Sequence, residues 1–241
     1  MAHCYWHDAL AGSAAGDVVT LTGEEAHHAA VVSRMRRGER VLVSDGRGVL
    51  AEGVIERAEP RAVDVVLHRV EEVAAPRPRI GLAQALAKGD RAELAVQAST
   101  ELGVDAIVPW QARRSVVQWR GERGDKALER WRRVVREAGK QAIRARLPEV
   151  EGVVDTEGLA ALAGDWRLVV LDPAAPGSIA DVPVDRDVLL IVGPEGGIDP
   201  AELERLDAAG AVRARMGDHV LRTSTAGLAG IAALSMRLGR W

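Results

Sequence analysis

The sequence predicts an α/β protein in which a small β-rich domain precedes a larger domain of alternating strands and helices. Short β-branched segments separated by turn residues fill roughly the first 70 of the 241 residues, a pattern typical of a small barrel. Beyond a proline-rich segment, apolar stretches of strand length alternate with helical ones, as in a parallel sheet with crossover helices. We therefore predict a β-barrel domain over residues 1–72, a linker over 73–79 and an α/β domain over 80–241.

In the first domain, three short aliphatic segments predict strands. They cover residues 41–43, 48–50 and 63–67, and the turn pairs Asp45-Gly46 and Glu59-Pro60 punctuate them. Such spacing is typical of hairpins in a small barrel.

In the second domain, residues 80–86 predict an apolar strand and residues 91–102 the helix that follows it. Gly103 is suited to end that helix in the left-handed conformation. Asp199, Pro200 and Glu202 predict the start of a later helix with an N-cap, a first-turn proline and a reciprocal Glu. The remaining predicted elements are strands over 106–108, 168–171, 188–192 and 211–216, and helices over 126–145 and 224–238.

The composition predicts a soluble cytoplasmic protein with an aliphatic core. Hydrophobic residues make up 47% of the chain, yet Phe is absent and Tyr occurs once. No apolar run reaches the roughly 18 residues of a membrane span, and the amino terminus lacks the regions of a signal peptide. The single cysteine, Cys4, excludes an internal disulfide framework. We interpret His3, Cys4 and His7 as packing residues and predict no metal site.

Charge is distributed unevenly along the chain, although the net charge is only −3. Residues 112–146 contain twelve Lys or Arg and four Asp or Glu, a local net charge of +8. Either a solvated helix face or a surface that binds a polyanion would show this pattern.

Two loops near the end of the chain predict a ligand site. Residues 193–197, Gly-Pro-Glu-Gly-Gly, follow one predicted strand, and residues 217–225 follow another. Ligands of α/β sheets bind at the carboxyl ends of strands, so both loops are expected to border one pocket, with Asp172-Pro173 as a third wall. An ordinary tight turn is the alternative for the glycine-rich loop. Its spacing and its late position fit neither a dinucleotide fingerprint nor a P-loop.

Motifs spread over the whole chain identify a family. They are His28 with Val32-Ser33-Arg34 and Gly38-Glu39, Lys88-Gly89-Asp90-Arg91, Glu101-Leu102-Gly103-Val104, residues 137–148 (EAGKQAIRARLP), residues 193–197 (GPEGG) and residues 216–226 (MGDHVLRTSTA). In this order they resemble the motifs of the SPOUT methyltransferases, and within them the 16S ribosomal RNA (uracil-N3)-methyltransferases. The chain departs from the family at three positions. Ser224 and Lys140 stand where many members have Glu, and Ala98 where many have Lys.

The resemblance implies an RNA-binding PUA-like β barrel followed by a SPOUT domain tied in a trefoil knot. It also implies a homodimer packed through the knot, S-adenosyl-L-methionine as the cofactor, and 16S ribosomal RNA or the small ribosomal subunit as the partner. Ala226, Gly230 and Ala233 form a small-residue stripe on the last helix, which suits either a dimer contact or packing inside one subunit.

The resemblance also implies the residues of the site. Backbone groups in the two loops would hold the cofactor, whereas Arg222 would stabilise the anion formed on uracil and Glu195 is a candidate base. The predicted cofactor-binding residues are Leu171, Val192, Gly193, Pro194, Gly196, Gly197, Met216, Gly217, Val220, Leu221, Thr223 and Thr225. The predicted RNA-binding residues are Arg34, Arg36, Arg37, Lys88, Arg91, Gln141 and Arg144.

Two other functions remain open at this point. One is a SPOUT enzyme that methylates another RNA position or atom. The other is a non-catalytic ribosome-assembly factor of the same fold, which the departures at Ser224 and Ala98 would suit.

Overall fold

A computed structural model describes residues 3–241 of the chain, and it divides into two compact units. The first contains the described residues up to Ala75 together with Gly139–Leu147. The second contains Pro76–Ala138 and Pro148–Trp241. The segment Gly139–Leu147, which the sequence assigned to the second domain, therefore groups with the first unit.

The first unit is built on a five-stranded sheet with the order β1-β3-β4-β5-β2. Strand β1 pairs with β3 in parallel, and the other neighbours are antiparallel. Alternate side chains of β2 to β5 face an aliphatic core, as expected of a sheet with one buried face. The strands are β1 (His3–Trp6), β2 (Val18–Thr22), β3 (Arg40–Ser44), β4 (Val49–Glu59) and β5 (Ala62–Glu72).

A short helical segment follows β2 in this unit. Helix α1 (Gly23–His27) continues into one π-helical turn, His28–Val32. The chain leaves that turn at Arg34, whose φ of 54° is left-handed, and then buries Met35 in the core. This arrangement leaves the arginines on both sides of Met35 exposed to solvent.

The second unit is built on a six-stranded, entirely parallel sheet with the order β11-β9-β10-β6-β7-β8. Every residue of β6, β7 and β10 is buried, which explains their almost continuous apolar sequences. Its strands are β6 (Ile80–Ala85), β7 (Ala106–Trp110), β8 (Glu149–Val150), β9 (Arg167–Leu171), β10 (Val188–Val192) and β11 (Val212–Ala214). Its helices are α2 (Arg91–Glu101), α3 (Gly121–Gln141), α4 (Thr156–Ala161), α5 (Pro200–Ala208) and α6 (Thr223–Arg237).

The predicted helix signals are confirmed at two ends. Gly103 follows α2 with φ of +90°. At the start of α5, the Asp199 side chain accepts from the backbone of Ala201, and the Glu202 side chain accepts from the backbone of Asp199. These reciprocal bonds satisfy donors that a helix start would otherwise leave unpaired.

Helix α3 differs from its predicted range of 126–145. It begins at Gly121 and ends at Gln141, and Ile143 has φ of 53°. Trp131, Val135 and Ala138 on one face of the helix are buried, whereas Ala142 is exposed. The helical spacing of buried residues therefore ends near Gly139, where the chain enters the first unit.

Residues 3–241 contain neither a membrane-spanning helix nor a group of metal-ligating side chains. None of their helices is both long and apolar enough to cross a bilayer. They contain no cluster of three or more His, Cys, Asp or Glu side chains suited to a metal ion.

Candidate active site

Three loops at one edge of the parallel sheet enclose a cavity of about 550 Å³. They follow β9, β10 and β11, which lie side by side in the sheet. The predicted third wall is present, because Asp172 and Pro173 after β9 line the cavity. The position agrees with the general rule that ligands of parallel α/β sheets bind at the carboxyl ends of strands.

The glycine-rich loop after β10 needs glycine for two different reasons. Gly193 allows a close approach, because a Cβ there would lie 2.6 Å from Cγ1 of Ile198. Gly197 has φ of +73°, which L side chains rarely adopt. Its N–H donates to the carbonyl of Pro194 at 2.9 Å, which closes the turn. The loop therefore presents backbone to the cavity.

The loop after β11 leaves its own peptide groups available to a ligand. Among the described residues, the backbone N–H and C=O groups of residues 216–221 form no hydrogen bond. Val220 and Leu221 in this loop are 77% and 38% exposed, which is unusual for such side chains. Free donors, free acceptors and apolar surface together suit a ligand that carries a heteroaromatic ring.

A buried polar chain joins the two main loops. The Thr223 hydroxyl donates to the carbonyl of Gly193 at 2.8 Å. It accepts in turn from Nε2 of Gln84 at 3.0 Å. Gln84 lies on β6 and is fully buried, and its Oε1 has no partner among the described residues. Because β6, β10 and the start of α6 meet here, these hydrogen bonds fix the positions of both cavity walls.

Most predicted cofactor residues line the cavity. Gly196 and Thr225 lie in the same loops but not on its wall: Gly196 accepts from the Arg114 guanidinium at 3.3 Å, and the Thr225 hydroxyl donates to the carbonyl of Arg222. The predicted residues on the wall are Leu171, Val192, Gly193, Pro194, Gly197, Met216, Gly217, Val220, Leu221 and Thr223.

Both predicted catalytic residues also line the cavity, from different loops. Arg222 is the N-cap residue of α6 and is exposed. Glu195 lies in the glycine-rich loop, and one of its carboxylate oxygens is 3.3 Å from Nη1 of Arg91. The sequence indicated RNA binding for Arg91, whereas the structure places it at the cavity, where it pairs with a candidate catalytic group.

The other predicted RNA-binding residues are divided between the two units. In the first unit, Arg34, Arg36, Arg37 and Gln141 are exposed, and Arg144 is half-buried. In the second, Lys88 is exposed in the turn between β6 and α2.

The three departures from the family pattern have different surroundings. Nζ of Lys140 is 2.8 Å from Oε2 of Glu25, and both side chains are mostly buried. Ser224 is buried in the first turn of α6, and Ala98 is half-buried on α2. Lys140 thus has its own compensating partner inside the first unit.

Sequence reasoning missed Gln84 and the position of Arg91. The signal for Gln84 was present, because it is a lone amide within the apolar segment of β6. A buried polar side chain in a parallel strand needs partners, and the loops at the strand end provide them. Nothing in the sequence distinguished an Arg91 that faces RNA from one that faces the cavity.

Two family models match the chain, one to each part. The RNA methyltransferase PUA domain matches residues 21–67. The RNA methyltransferase domain matches residues 75–235. The predicted fold class, a PUA-like β domain followed by a SPOUT α/β domain, agrees with both matches.

Curated relatives share most of their length with this chain. A ribosomal RNA small subunit methyltransferase E from Mycobacterium tuberculosis is 42% identical over 233 residues, which cover 94% of this chain and 89% of the relative. The protein of the same name from Bacillus subtilis is 32% identical over 227 residues, covering 90% and 89%.

Solved structures are similar over almost the whole chain. A ribosomal RNA small subunit methyltransferase E from Neisseria gonorrhoeae, bound to S-adenosyl methionine, superimposes with a TM-score of 0.88 at 26% identity, covering 98% of both chains. A putative methyltransferase from Legionella pneumophila, in complex with the same cofactor, gives 0.87 at 31% identity with the same coverage. The family resemblance predicted from the motifs is thereby confirmed, and the chain belongs to the SPOUT family of ribosomal RNA small subunit methyltransferases E.

Proposed function

We propose that this protein transfers a methyl group from S-adenosyl-L-methionine to uridine N3 in 16S RNA of the small ribosomal subunit. The observation that carries the proposal is the cavity formed by the loops after β9, β10 and β11. It lies within a chain whose relatives are small-subunit methyltransferases and whose structural neighbours bind S-adenosylmethionine.

The cavity fits the cofactor in size and in chemistry. Its volume, about 550 Å³, lies within the ordinary range of small-molecule sites. The unpaired backbone groups of residues 216–221 match the donors and acceptors of an adenine ring. Gly193 and Gly197 let the opposite wall approach as bare backbone. When bound, S-adenosylmethionine supplies a methyl group already activated on a positively charged sulfur.

The protein's own task is to make uracil N3 nucleophilic and to align it. N3 carries a proton at neutral pH, so the site must remove that proton and stabilise the anion that spreads onto the ring oxygens. Arg222 provides a fixed positive charge at the cavity, and the amino terminus of α6 adds its partial positive charge beside it. Both favour the anion over the neutral ring.

Glu195 is the candidate base in this proposal, and Arg91 controls its availability. The Glu195 carboxylate is 27% exposed and paired with the Arg91 guanidinium. To accept a proton from N3, the Glu195 carboxylate must either separate from Arg91 or keep one oxygen available to the substrate. RNA phosphates near the cavity would compete for the same guanidinium, so substrate binding would free Glu195 for catalysis.

RNA binding in this account uses both units. Arg34, Arg36 and Arg37 expose three guanidinium groups around the buried Met35. Such contacts give affinity that depends on salt, whereas specificity requires a base turned out of its stack into the cavity.

A homodimer and a trefoil knot complete the proposal. Part of the small-residue stripe on α6 packs inside the subunit, because a Cβ on Gly230 would lie 2.8 Å from the Leu190 side chain. Ala233 of the same stripe is only half-buried, which leaves part of this helix face for a second subunit.

The experiment that tests this function has two parts. Calorimetry measures the stoichiometry of S-adenosylmethionine binding, and labelled cofactor measures methyl transfer to small ribosomal subunits that lack the modification. We expect one cofactor per site and incorporation of one methyl group per subunit. A protein that binds neither the cofactor nor the subunit would contradict the proposal, and one that binds only the subunit would favour the assembly-factor alternative.

A further inference from the structure

We propose that a second cavity, between the β6–α2 turn and helix α3, holds one nucleotide of the RNA substrate next to the target uridine. The inference rests on the proposed function, since it extends the same substrate to a second subsite. The cavity has a volume of about 310 Å³ and lies wholly within the second unit. This is the lower end of the range for small-molecule sites, so it suits a single ring system.

The inner surface of this cavity is apolar and aromatic. Leu86 and Trp131 are buried there, and Trp119 is half-buried on its wall. The two indole rings meet edge to face with centroids 5.0 Å apart. The Trp119 N–H of the main chain donates to Oε1 of Gln111 at 2.9 Å, which fixes the loop that carries this ring. A fixed aromatic wall is the usual platform for an unstacked nucleobase.

The rim of this cavity carries two cations and one carboxylate. Arg130 from α3 pairs with Glu93 from α2 at 2.7 Å. Lys126, also from α3, is the cation left for a phosphate, and its side chain is 81% exposed. Its nearest carboxylate, on Glu122, is 4.0 Å away and is itself exposed, so the pair is weak and screened. Nine Lys or Arg against three Asp or Glu lie between residues 113 and 136. This charge balance favours a polyanion over an apolar small molecule or an acidic peptide with few charges.

The position of the cavity connects it to the active site. Both cavities lie beyond the carboxyl ends of strands of one parallel sheet, the first after β9 to β11 and the second after β6. They share one turn: Arg91 lines the first cavity, whereas Gly89 and Ala92 line the second. An RNA strand that places a flipped base in the first cavity would therefore have the second cavity beside it, across this turn.

The test compares variants of the full-length protein for binding to small ribosomal subunits that lack the modification. Trp119→Ala removes the stacking face, and Trp119→Phe is the matched control that keeps an aromatic ring. Ala127→Met fills the cavity from α3 while leaving Trp119 unsubstituted, and methionine is well tolerated in helices. Lys126→Gln removes the rim charge. Calorimetry with S-adenosylmethionine shows for each variant that the first cavity remains folded.

The proposal predicts a specific pattern of binding. Trp119→Ala and Ala127→Met should weaken subunit binding about 5- to 100-fold, the usual effect of losing one stacked base. Trp119→Phe should recover most of that loss. Lys126→Gln should remove one phosphate contact, so the plot of log affinity against log salt concentration should become less steep by about one. Cofactor affinity should stay within about 2-fold of the unsubstituted protein in all four, since none of the substituted residues lines the first cavity.

Subunit binding that is unchanged in both Trp119→Ala and Ala127→Met would overturn the subsite. The subsite would also be overturned if Trp119→Phe weakened subunit binding as much as Trp119→Ala, because Trp119 would then have a structural role. The unsubstituted protein separates this inference from the function on which it rests. If it binds subunits but transfers no methyl group, the proposed function fails while the binding comparison still decides the subsite. If it does not bind subunits, both proposals fail.

Discussion

At the scale of single residues, two opposite charges line one cavity from different loops. Arg222 comes from the start of α6 and Glu195 from the turn after β10. In the proposed function, a cation that stabilises an anion and a carboxylate that accepts a proton would serve the same step, the activation of N3. Their contributions can be separated by substitution.

Replacing Arg222 should impair turnover far more than cofactor binding. In Arg222→Ala, the anion on the ring loses its fixed positive charge, and kcat should fall by about 100-fold or more, the usual cost of losing such an electrostatic group. The dissociation constant for S-adenosylmethionine should change little. Single-turnover rates and calorimetry measure the two effects, with Arg222→Lys as the charge-conserving control. An unchanged rate in Arg222→Ala would remove the proposed role.

Replacing Glu195 should change the pH dependence of the reaction. If Glu195 accepts the N3 proton, Glu195→Gln should lower kcat about 100- to 10,000-fold at neutral pH, the range for loss of a general base. The remaining activity should rise with pH as more substrate loses its proton to water. Glu195→Asp, which keeps the carboxylate, should retain more activity than Glu195→Gln. A Glu195→Gln enzyme with the normal rate and pH profile would show that this side chain only supports its turn.

The residues that line the cavity from the loops after β10 and β11 were predictable because their signals are local. Gly193 and Gly197 predict a loop that exposes its backbone to a ligand, and the structure places both residues on the cavity wall. The orientation of Arg91 was not predictable, since it depends on how the first residue of α2 meets a loop from β10, about 100 positions later in the chain.

At the scale of elements, the buried hydrogen bonds among Gln84, Thr223 and Gly193 hold β6, α6 and β10 together beside the cavity. Each group here lies at a strand end or a helix start, where backbone groups lack partners. The Thr223 hydroxyl is the central member because it both donates and accepts. Removing it therefore leaves the Gly193 carbonyl without its donor, and it leaves the Gln84 amide with only its longer bond to the carbonyl of Ala85, at 3.3 Å.

Thr223→Val should weaken both folding and cofactor binding, because it keeps the shape of the side chain and removes only the hydroxyl. We expect a loss of about 1–3 kcal/mol in the free energy of unfolding, the cost of leaving buried polar groups unpaired. Urea denaturation measures this loss, and calorimetry measures the accompanying fall in cofactor affinity. Thr223→Ser keeps the hydroxyl and should retain most of both. Equal behaviour of the Val and Ser variants would contradict the role of the hydrogen bonds.

Elements with strong local signals were predicted well, and those decided by long-range contacts were not. The strands after residue 80 and the start of α5 follow from apolar runs and a capping box. Strand β11 is shorter than its predicted range of 211–216, since Met216 already belongs to the cavity loop. Helix α3 ends at Gln141, four residues before its predicted end. The residues after it pack in the first unit, where the Arg146 guanidinium donates to the carbonyl of Val73.

At the scale of the whole molecule, buried carboxylates stabilise the amino-terminal edge of the parallel sheet, and Asp187 forms the largest set of ion pairs among them. Asp187, just before β10, accepts from the backbone and the guanidinium of Arg79 at 2.7 and 2.6 Å, and from Arg77 at 2.8 Å. Burial alone would raise the pKa of Asp187, but the hydrogen bonds from Arg79 and the charges of Arg79 and Arg77 hold that pKa below its usual value.

Stability should therefore decrease on acidification through Asp187. A carboxyl group with a lowered folded pKa stabilises the protein fully above its unfolded pKa, near ~3.9, and loses that contribution as the pH falls through the folded value. Asp187→Asn should lower the free energy of unfolding at pH 7 by about 1–3 kcal/mol, and this difference from the unsubstituted protein should shrink below about pH 4. Urea denaturation across this range measures it. A difference that is constant with pH would contradict the assignment.

The division of the chain shows what a single sequence can and cannot reveal. The change from barrel-like to alternating patterns marks where the second unit begins. The return of Gly139–Leu147 to the first unit has no local signal, because it depends on contacts such as Lys140 with Glu25, 115 positions apart. The knot and the homodimer remain predictions of the family resemblance.

The measurement that tests the central claim most directly is identification of the nucleoside that this protein modifies. Small ribosomal subunits lacking the modification would be incubated with the protein and labelled S-adenosylmethionine, and their RNA digested and analysed by mass spectrometry. The account predicts N3-methyluridine in the 16S RNA, and its loss in the Arg222→Ala protein. A label found in a different nucleoside, with cofactor binding intact, would contradict the assignment to uracil N3.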